Sequence, residues 1–377
     1  MKKTSKWNVA LLGLDHMHAG DNIRDIFACD RAELVGLWDS DDARLNNVGK
    51  DTGVSSDRRF NSADELFEKA RPDVAVVCST TQDHTHFVEM AMAAGAHVIL
   101  EKPFAVDLAA ADEMIAASER FGKRLAINWP AVWQPAHQTA YRLITEGQIG
   151  EVREIHSYGG NRGPLWHSHD KKETNGAVSP EEKRATWWYR ADMGGGSLLD
   201  YLGYGATLGT WFRGGGLPST VTACVHVAPG DEVDEQSVVI AAFPGGLSTY
   251  QTRWGTFTDP WTHQPQPQCG YVIVGDEGTI SSFDYADHVT VQTRSEPAAH
   301  PVVADPLATH NQTFVNNVLD ALDRDVDIVG PLSPWTSRSG QRIIDSARQS
   351  AQLGQTVPLI GPDDSAVLSA SKKESES

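Results

Sequence analysis

Several features are scarce in this 377-residue chain, and each shortage excludes a class of protein. Basic residues are few: 32 Lys and Arg stand against 50 Asp and Glu, and the net charge of −18 repels nucleic acid and anionic membrane surfaces. No run approaches the roughly 20 apolar residues that a membrane-spanning helix needs. Cysteines are few and form no CxxC pair, so we interpret them as buried free thiols of a reducing compartment: Cys29, Cys78, Cys224 and Cys269.

The first residues offer no convincing export signal. Lysines at positions 2, 3 and 6 resemble a basic leader, but Asp15 and His16 break the apolar run that follows. We therefore expect a cytoplasmic protein with no membrane or nucleic-acid partner. The chain has no internal repeat, and its length predicts two domains.

The first third of the chain alternates short apolar runs with helix-like stretches. This rhythm is typical of a doubly wound parallel α/β sheet, and we expect a Rossmann domain over residues 1–126. The strand-like runs are residues 7–14, 32–38, 74–78, 97–100 and 124–127, and the last clear helix before the boundary is 107–121.

Beyond residue 126 the rhythm changes to strands without intervening helices. We expect an α+β domain with a large, mainly antiparallel sheet over 127–364, two closing helices near 309–323 and 334–353, and a flexible tail from 365 to 377. The strand-like runs are residues 220–227, 237–243, 247–253, 271–274, 279–283 and 289–293.

The turn after the first strand keeps only part of a dinucleotide-binding motif. A G-x-G-x-x-G motif lets bare backbone approach a pyrophosphate at a helix N-terminus. Gly13, Asp15 and His18 stand at its three positions, so a carboxylate and an imidazole replace two glycines. Taken alone, Gly13 is equally consistent with an ordinary strand turn.

A second feature points to a nucleotide. Asp39 ends the second strand at the distance where an acid bonds the adenosine ribose hydroxyls, although an ordinary strand-end acid is the alternative. Asp41 and Asp42 follow, and the first basic residue is Arg44, so a ribose 2′-phosphate would meet negative charge. We therefore favour NAD over NADP.

Two further segments carry a resemblance to a known family. The first combines His84, residues 94–98 (AGAHV) and Glu101-Lys102-Pro103; the second is residues 194–200 (GGGSLLD) followed by Tyr204. Together with residues 346–357 as a closing helix, they resemble the Gfo/Idh/MocA oxidoreductases, named for glucose-fructose oxidoreductase and inositol dehydrogenase. The similarity runs over nearly the whole chain, and the joint order and spacing make it specific.

The resemblance implies a Rossmann domain, a second domain whose open sheet supports a homo-oligomer (dimer or tetramer), and an active site between them. It implies a sugar dehydrogenase or related NAD(P)-dependent enzyme acting on hydroxyl-bearing carbons of sugars, polyols or cyclic alcohols. Tyr204 stands where many relatives have histidine, as in the tyrosine-containing branch. The expected cofactor contacts are Gly13, Asp15, His16, Met17, His18, Asp39, Ser79, Thr80, His84, Glu101 and Lys102.

The expected chemistry centres on Lys102, Asp200 and Tyr204. Hydride transfer to a carbonyl leaves an alkoxide that needs a proton, and Tyr204 is the candidate donor. We expect Lys102 to lower the pKa of Tyr204 by about three units, which requires roughly 4 kcal/mol. Asp200, one helical turn before Tyr204, would hold a neighbouring hydroxyl. Each residue has a plain alternative: a solvated strand-end lysine, a helix acid and a packed aromatic.

The other candidates are weaker. Trp129 and Trp187 are expected to contact substrate, although large aromatics are usually core. The segment His167-Ser168-His169-Asp170 resembles a metal-ligand set without a third element, so we interpret it as a polar loop and expect no metal. Two other functions stay open: a glycoside-cleaving enzyme that oxidises its substrate transiently, and a non-catalytic dinucleotide sensor.

Overall fold

We describe a computed structural model of the chain, which covers residues 6–174, 176, 178–309 and 312–361. The first domain is built on a six-stranded parallel sheet with the strand order β3-β2-β1-β4-β5-β6. Its strands are β1 (Trp7–Leu12), β2 (Ala32–Trp38), β3 (Arg59–Phe60), β4 (Val74–Val77), β5 (His97–Glu101) and β6 (Leu125–Asn128). The strand order reverses between β1 and β4, which is where doubly wound sheets bind nucleotides. The expected Rossmann sheet is confirmed.

Five helices connect these strands: α1 (Ala19–Ala28), α2 (Asp42–Thr52), α3 (Ala63–Ala70), α4 (His84–Ala93) and α5 (Leu108–Phe121). All four residues of β4 are buried, as a strand covered on both faces requires. Side chains of Asp41, Ser62 and Asp107 cap α2, α3 and α5 by accepting backbone N–H bonds. Strand β6 runs to Asn128, two residues past the expected boundary at 126, and the boundary itself stays a prediction.

The second domain contains a nine-stranded sheet with the order β14-β13-β12-β11-β7-β10-β9-β8-β15. Its strands are β7 (Val152–Asn161), β8 (Thr220–His226), β9 (Gln236–Phe243), β10 (Gly246–Trp254), β11 (Gly270–Gly275), β12 (Gly278–Phe283), β13 (His288–Thr293), β14 (His300–Val303) and β15 (Val357–Pro358). Within the part of the chain that the structure describes, only β7 and β10 of this sheet pair in parallel, so the mainly antiparallel sheet is confirmed. Strands β7, β14 and β15 were not predicted from the sequence.

The helices of this domain are α6 (Pro135–Thr145), α7 (Pro180–Ala185), α8 (Ser197–Phe212), α9 (Phe314–Arg324) and α10 (Pro334–Leu353). Helix α8 packs on β7, β9 and β10, and α10 packs on α8, β8 and α5. A Cβ at Gly205 would lie 2.9 Å from the ring of Tyr250, so the glycines of α8 allow it to approach the sheet closely. Helix α9 begins five residues later than expected, whereas α10 matches the expected range.

Two findings concern the remaining sequence expectations. Within the described residues, no helix has the length and apolar character that a membrane crossing requires. All four cysteines are free, but Cys224 is exposed, so the expectation that every thiol is buried was wrong for this one. Residues 362–377, where the flexible tail was expected, lie outside the described part.

Candidate active site

The loop after β1 lies against the end of β4. Gly13 has a left-handed backbone with φ 77°, and its N–H donates to the carbonyl of Trp38 at 2.9 Å. A Cβ at this position would lie 2.7 Å from the backbone of Ser79. Only glycine fits here, because both the backbone angle and the close approach exclude a side chain.

Asp39 braces this loop from the end of β2. Its buried carboxylate accepts the N–H groups of Leu14 at 2.6 Å and Asp41 at 2.7 Å. Arg44 donates to both oxygens, through Nε at 3.0 Å and its terminal nitrogen at 2.8 Å. A ribose hydroxyl could therefore bond Asp39 only after Arg44 moves, and the ribose contact stays a prediction.

Asp15 joins the same ion cluster. A terminal nitrogen of Arg44 lies 2.8 Å from Oδ1 of Asp15, so one guanidinium bridges two carboxylates. Burial raises the pKa of Asp15 from 3.8 to about 6, against the lowering effect of Arg44. The carboxylate that replaces the second motif glycine is thus held in a site that disfavours its charge.

A buried polar network connects this loop with Glu101 at the end of β5. His18 Nδ1 lies 2.8 Å from Glu101 Oε1, while the side-chain amides of Asn22 and Asn128 donate to Oε2 at 3.0 and 3.2 Å. Burial holds the pKa values of His16 and His18 well below their usual range. Both imidazoles are therefore neutral at physiological pH.

His16, His18 and Glu101 form a group whose donor atoms lie within 4.8 Å of one another, which is compatible with a metal ion. One nitrogen of each histidine, however, is already engaged in a hydrogen bond. His16 Nδ1 accepts the N–H of His18 at 3.2 Å, and the other ring nitrogen of His16 then carries the proton. We interpret the group as the cofactor-side wall.

Three buried polar atoms at the carboxyl edge of the first sheet have no hydrogen-bond partner among the residues that the structure describes. They are His16 Nε2 after β1, Trp38 Nε1 in β2 and Thr81 Oγ1 after β4. Buried polar groups are nearly always paired, and unpaired ones call for a ligand or water. Their position on both sides of the β1/β4 switch point fits a dinucleotide.

The other residues expected to contact cofactor lie around this edge and mainly stabilise its turns. Thr80 Oγ1 donates to Asp83 at 2.7 Å, and Ser79 is buried beside Gly13. The His84 ring bonds the carbonyl of Phe104 at 3.2 Å, which connects α4 with the segment after Lys102. Met17 is nearly buried, and its carbonyl accepts the N–H of Asp170 at 2.8 Å.

Lys102 and Asp200 meet across the two domains. Nζ of Lys102 forms an ion pair with Oδ1 of Asp200, and both residues are nearly buried. The indole N–H of Trp254 donates to the other oxygen of Asp200 at 2.9 Å. Trp254 ends β10 and was not anticipated, because nothing in the sequence connects it with α8.

Tyr204 lies one helical turn after Asp200, on the same face of α8. Nζ of Lys102 is 5.5 Å from the centre of its ring, so a lysine of the first domain and a phenol of the second do converge. The expected tuning by Lys102 needs correction. Burial, followed by the charges of Glu101 and Asp200, holds the pKa of Tyr204 well above its usual range. The physical reason is that burial disfavours the charged phenolate.

These groups line one cavity between the domains, with an empty volume of about 790 Å³ that is partly open to solvent. Its charged walls are Lys102, Lys171, Asp200 and Asp284, and its aromatic walls include Tyr158, Tyr201, Tyr204, Trp261, Tyr271 and Tyr285. Asp284 and Trp261 were not predicted as site residues. Both lie in loops between strands and carry no motif.

The two tryptophans expected to contact substrate do not line the cavity. Trp129 is 1% exposed, donates from its indole to Ser337 Oγ at 2.9 Å, and packs edge-on against Tyr204 at 5.2 Å. Trp187 stacks on Trp188 with ring centres 3.7 Å apart. Trp129 therefore supports Tyr204 from behind and is too buried for the expected contact with substrate, whereas the contact expected of Trp187 stays a prediction.

The segment of residues 167–172 is more than a polar loop. His167 is buried and its Nε2 lies 2.8 Å from Asp259 Oδ2. His169 and Lys172 both contact Asp51 of α2, at 3.1 and 2.8 Å. The segment thus crosses from the second domain onto the first, and Lys171 within it reaches the cavity.

The architecture is shared with solved oxidoreductases. One is the aldose-aldose oxidoreductase of Caulobacter crescentus, described as complexed with glycerol: 23% identity, TM-score 0.76, 94% of this chain and 100% of that chain covered. Another, from Agrobacterium radiobacter, is described in complex with NAD+, L-tartaric acid and magnesium, with 21% identity, TM-score 0.73 and 94% and 99% coverage. At these identities the likeness concerns the fold.

A parallel nucleotide-type sheet, a second open sheet and a Lys–Asp–Tyr group between them define a two-domain oxidoreductase architecture. Residues 7–129 match the oxidoreductase family with an NAD-binding Rossmann fold, and residues 137–281 match the GFO/IDH/MocA C-terminal domain. The chain belongs to the Gfo/Idh/MocA family, because the matches to its two domains together cover more than half of the sequence. This confirms the resemblance.

Curated relatives match over shorter stretches. D-apiose dehydrogenase of Paraburkholderia graminis is 38% identical over 136 residues, 36% of this chain and 34% of that protein. Inositol 2-dehydrogenase of Azotobacter vinelandii is 29% identical over 146 residues, 38% of this chain and 41% of that protein. The chain thus matches about a third to two fifths of the length of these relatives.

Proposed function

We propose that this protein is an NAD(P)-dependent oxidoreductase that transfers a hydride between nicotinamide and a hydroxyl-bearing or carbonyl carbon of a sugar, polyol or related cyclic alcohol. The observation that carries the proposal is the convergence of Lys102 with Asp200 and Tyr204 in one cavity at the domain boundary. The dehydrogenases among the relatives support the substrate class.

Tyr204 is the proposed proton donor to the substrate oxygen. Because its pKa lies well above the usual value, the phenol stays protonated at neutral pH and suits the reduction of a carbonyl. Lys102 would bond the same oxygen, while Asp200 holds the ammonium in place. Nicotinamide, when bound, supplies or accepts the hydride.

NAD is the cofactor we favour over NADP. Arg44, the first basic residue after Asp39, is already paired with Asp15 and Asp39. A ribose 2′-phosphate would have to break these ion pairs and then face both carboxylates. An uncharged ribose avoids that cost.

We also propose a homo-oligomer, a dimer or tetramer, working in the cytoplasm. The face of the second sheet opposite α8 exposes Val238, Ile240 and Leu247, which a second copy could cover. Free thiols, including the exposed Cys224, are typical of a reducing compartment.

The test follows absorbance at the reduced-nicotinamide band while NAD, then NADP, is offered with a panel of sugars, inositols, anhydrosugars and diols. We expect turnover with at least one compound and a preference for NAD. Tyr204→Phe should lower turnover at least 100-fold and leave NADH affinity nearly unchanged, since the phenol contacts substrate. Tyr141→Phe is the matched control, because Tyr141 stacks on Trp211 and does not line the cavity. Near-normal turnover by Tyr204→Phe would remove Tyr204 from the chemistry.

A further inference from the structure

The cavity has a second carboxylate that the proposed chemistry does not use. Asp284 directly follows β12 and lines the same cavity as Lys102 and Tyr204, with its side chain 21% exposed. Its Oδ1 lies 2.8 Å from His137 Nε2. Among the described residues, no hydrogen bond reaches Oδ2, so one oxygen is available at the cavity wall.

Two buried residues, His137 and Ser282, hold Asp284 in position through successive hydrogen bonds. His137 on α6 is fully buried, and its Nδ1 lies 2.7 Å from Oγ of Ser282, which is also fully buried. A carboxylate can only accept, so Nε2 of His137 donates to Asp284, and in a neutral ring Nδ1 accepts the Ser282 hydroxyl. The ring also packs edge-on against Tyr271, with centres 5.1 Å apart. Asp284 is therefore a preorganised acceptor.

Charge balance identifies the kind of group that Asp284 would bind. The ionisable groups lining the cavity comprise two ammonium groups, Lys102 and Lys171, and two carboxylates, Asp200 and Asp284, while His18 is neutral. A substrate with a phosphate or carboxylate would face Asp284 and Asp200, and one with an ammonium would face Lys102 and Lys171. An uncharged ligand leaves the two ammonium groups and the two carboxylates in balance. A fixed carboxylate oxygen on such a wall accepts hydroxyl hydrogens.

We propose that Asp284 is the distal anchor of the substrate, accepting hydroxyls remote from the reacting carbon of an uncharged polyhydroxylated compound, and that His137 is its positioning residue. This inference rests on the proposed function for the location of the reacting carbon. It assigns Lys102 and Tyr204 to one end of the substrate and Asp284 to the other.

The experiment compares Asp284→Asn and His137→Gln with wild type. Asp287→Asn and His156→Gln are the matched controls, because Asp287 pairs with His288 and His156 with Glu154 and Thr249, none of which lines the cavity. The substrates are the best polyol of the panel and cyclohexanol, which lacks distal hydroxyls. We expect Asp284→Asn to raise the KM for the polyol at least 10-fold, with kcat within about threefold and NADH affinity unchanged. Cyclohexanol kinetics should not change, and His137→Gln should reproduce part of the KM effect.

A binding assay separates this inference from the proposed function. Myo-inositol and D-glucose are titrated calorimetrically into wild type and Asp284→Asn in the presence of NADH. Turnover with an unchanged KM in Asp284→Asn, or equal losses for polyol and cyclohexanol, would overturn the inference alone. Binding that depends on Asp284 without any hydride transfer would overturn the function alone. Neither binding nor turnover would overturn both.

Discussion

Both oxygens of Asp200 are engaged, one by the ammonium of Lys102 and the other by the indole of Trp254. A hydrogen bond to a charged group contributes about 1.5–3 kcal/mol. Trp254→Phe keeps the aromatic packing and removes the donor, so we expect turnover to fall by about tenfold or more as Asp200 and Lys102 lose their fixed geometry. Steady-state kinetics on the best panel substrate measure this. Trp335→Phe, at an exposed position, is the control, and an unchanged kcat would contradict the role.

Asp15 predicts a pH dependence with a definite sign. Its pKa is about 6 in the fold and 3.8 ordinarily, so the folded chain holds an extra proton between these values. The free energy of unfolding should therefore fall as pH rises from about 4 to about 6, by at most about 3 kcal/mol. Asp15→Asn should remove that part of the slope and stabilise the protein at pH 7. Urea unfolding across this pH range measures it.

The same residue bears on cofactor affinity. If the pyrophosphate lies at the loop after β1, ionised Asp15 repels it, and NADH should bind more tightly to wild type at pH 5.5 than at pH 7.5. Asp15→Asn should bind with little difference between the two. Asp30→Asn, an exposed acid at the end of α1, serves as the control. A steeper pH dependence in Asp15→Asn would contradict the assignment.

Motif residues were predictable and their partners were not. Lys102, Asp200 and Tyr204 stand in local signatures, and the structure brings them together. Trp254 reaches Asp200, and Asp284 reaches the cavity, through the pairing of strands far apart in sequence, which leaves no local signal. The raised pKa of Tyr204 was also beyond the sequence, since it depends mainly on burial and then on the charges of Glu101 and Asp200.

At the scale of elements, the sequence predicted those helices and strands that a regular spacing of apolar residues defines. The buried parallel strands and α10 were found because their apolar spacing is strong. Strand β7 was missed, since its residues are of mixed polarity and its parallel partner, β10, lies about 90 residues further along. The ends of elements near turns, such as the start of α9, were the least accurate.

One of the contacts between helix α10 and the first domain is made by a buried acid, Asp345. Asp345 accepts the N–H of Leu108, at the start of α5, at 2.7 Å and an amide hydrogen of Gln341 at 3.0 Å. Asp345→Ala leaves a buried N–H unpaired, so we expect the free energy of unfolding to fall by about 2 kcal/mol. Urea unfolding followed by tryptophan fluorescence measures this. Asp320→Ala, which removes a surface pair with Arg324, should cost well under 1 kcal/mol. Equal losses in the two variants would contradict the bridging role.

At the scale of the whole molecule, two forces oppose each other. The net charge of −18 makes copies of the chain repel, whereas the open face of the second sheet offers Val238, Ile240 and Leu247 for burial. Ile240 is 39% exposed and lies between Thr222 and Thr249 on neighbouring strands, so its side chain stands within that face and not at its rim. Association through this face should be driven by apolar burial and weakened by long-range repulsion.

The balance between apolar burial and charge repulsion predicts how the oligomer responds to salt. Because added salt shortens the Debye length from about 30 Å at 0.01 M to about 8 Å at 0.15 M, the oligomer should become more stable as salt increases. Ile240→Lys buries a charge at the interface, which apolar contacts cannot compensate, and should shift the protein towards the monomer even in 0.15 M salt. Sedimentation velocity at both salt concentrations measures the mass. Val329→Lys, exposed in the loop before α10, is the matched control and should leave the mass unchanged. An oligomer that dissociates with salt, or survives Ile240→Lys intact, would mean that the copies meet through charged surfaces elsewhere on the molecule.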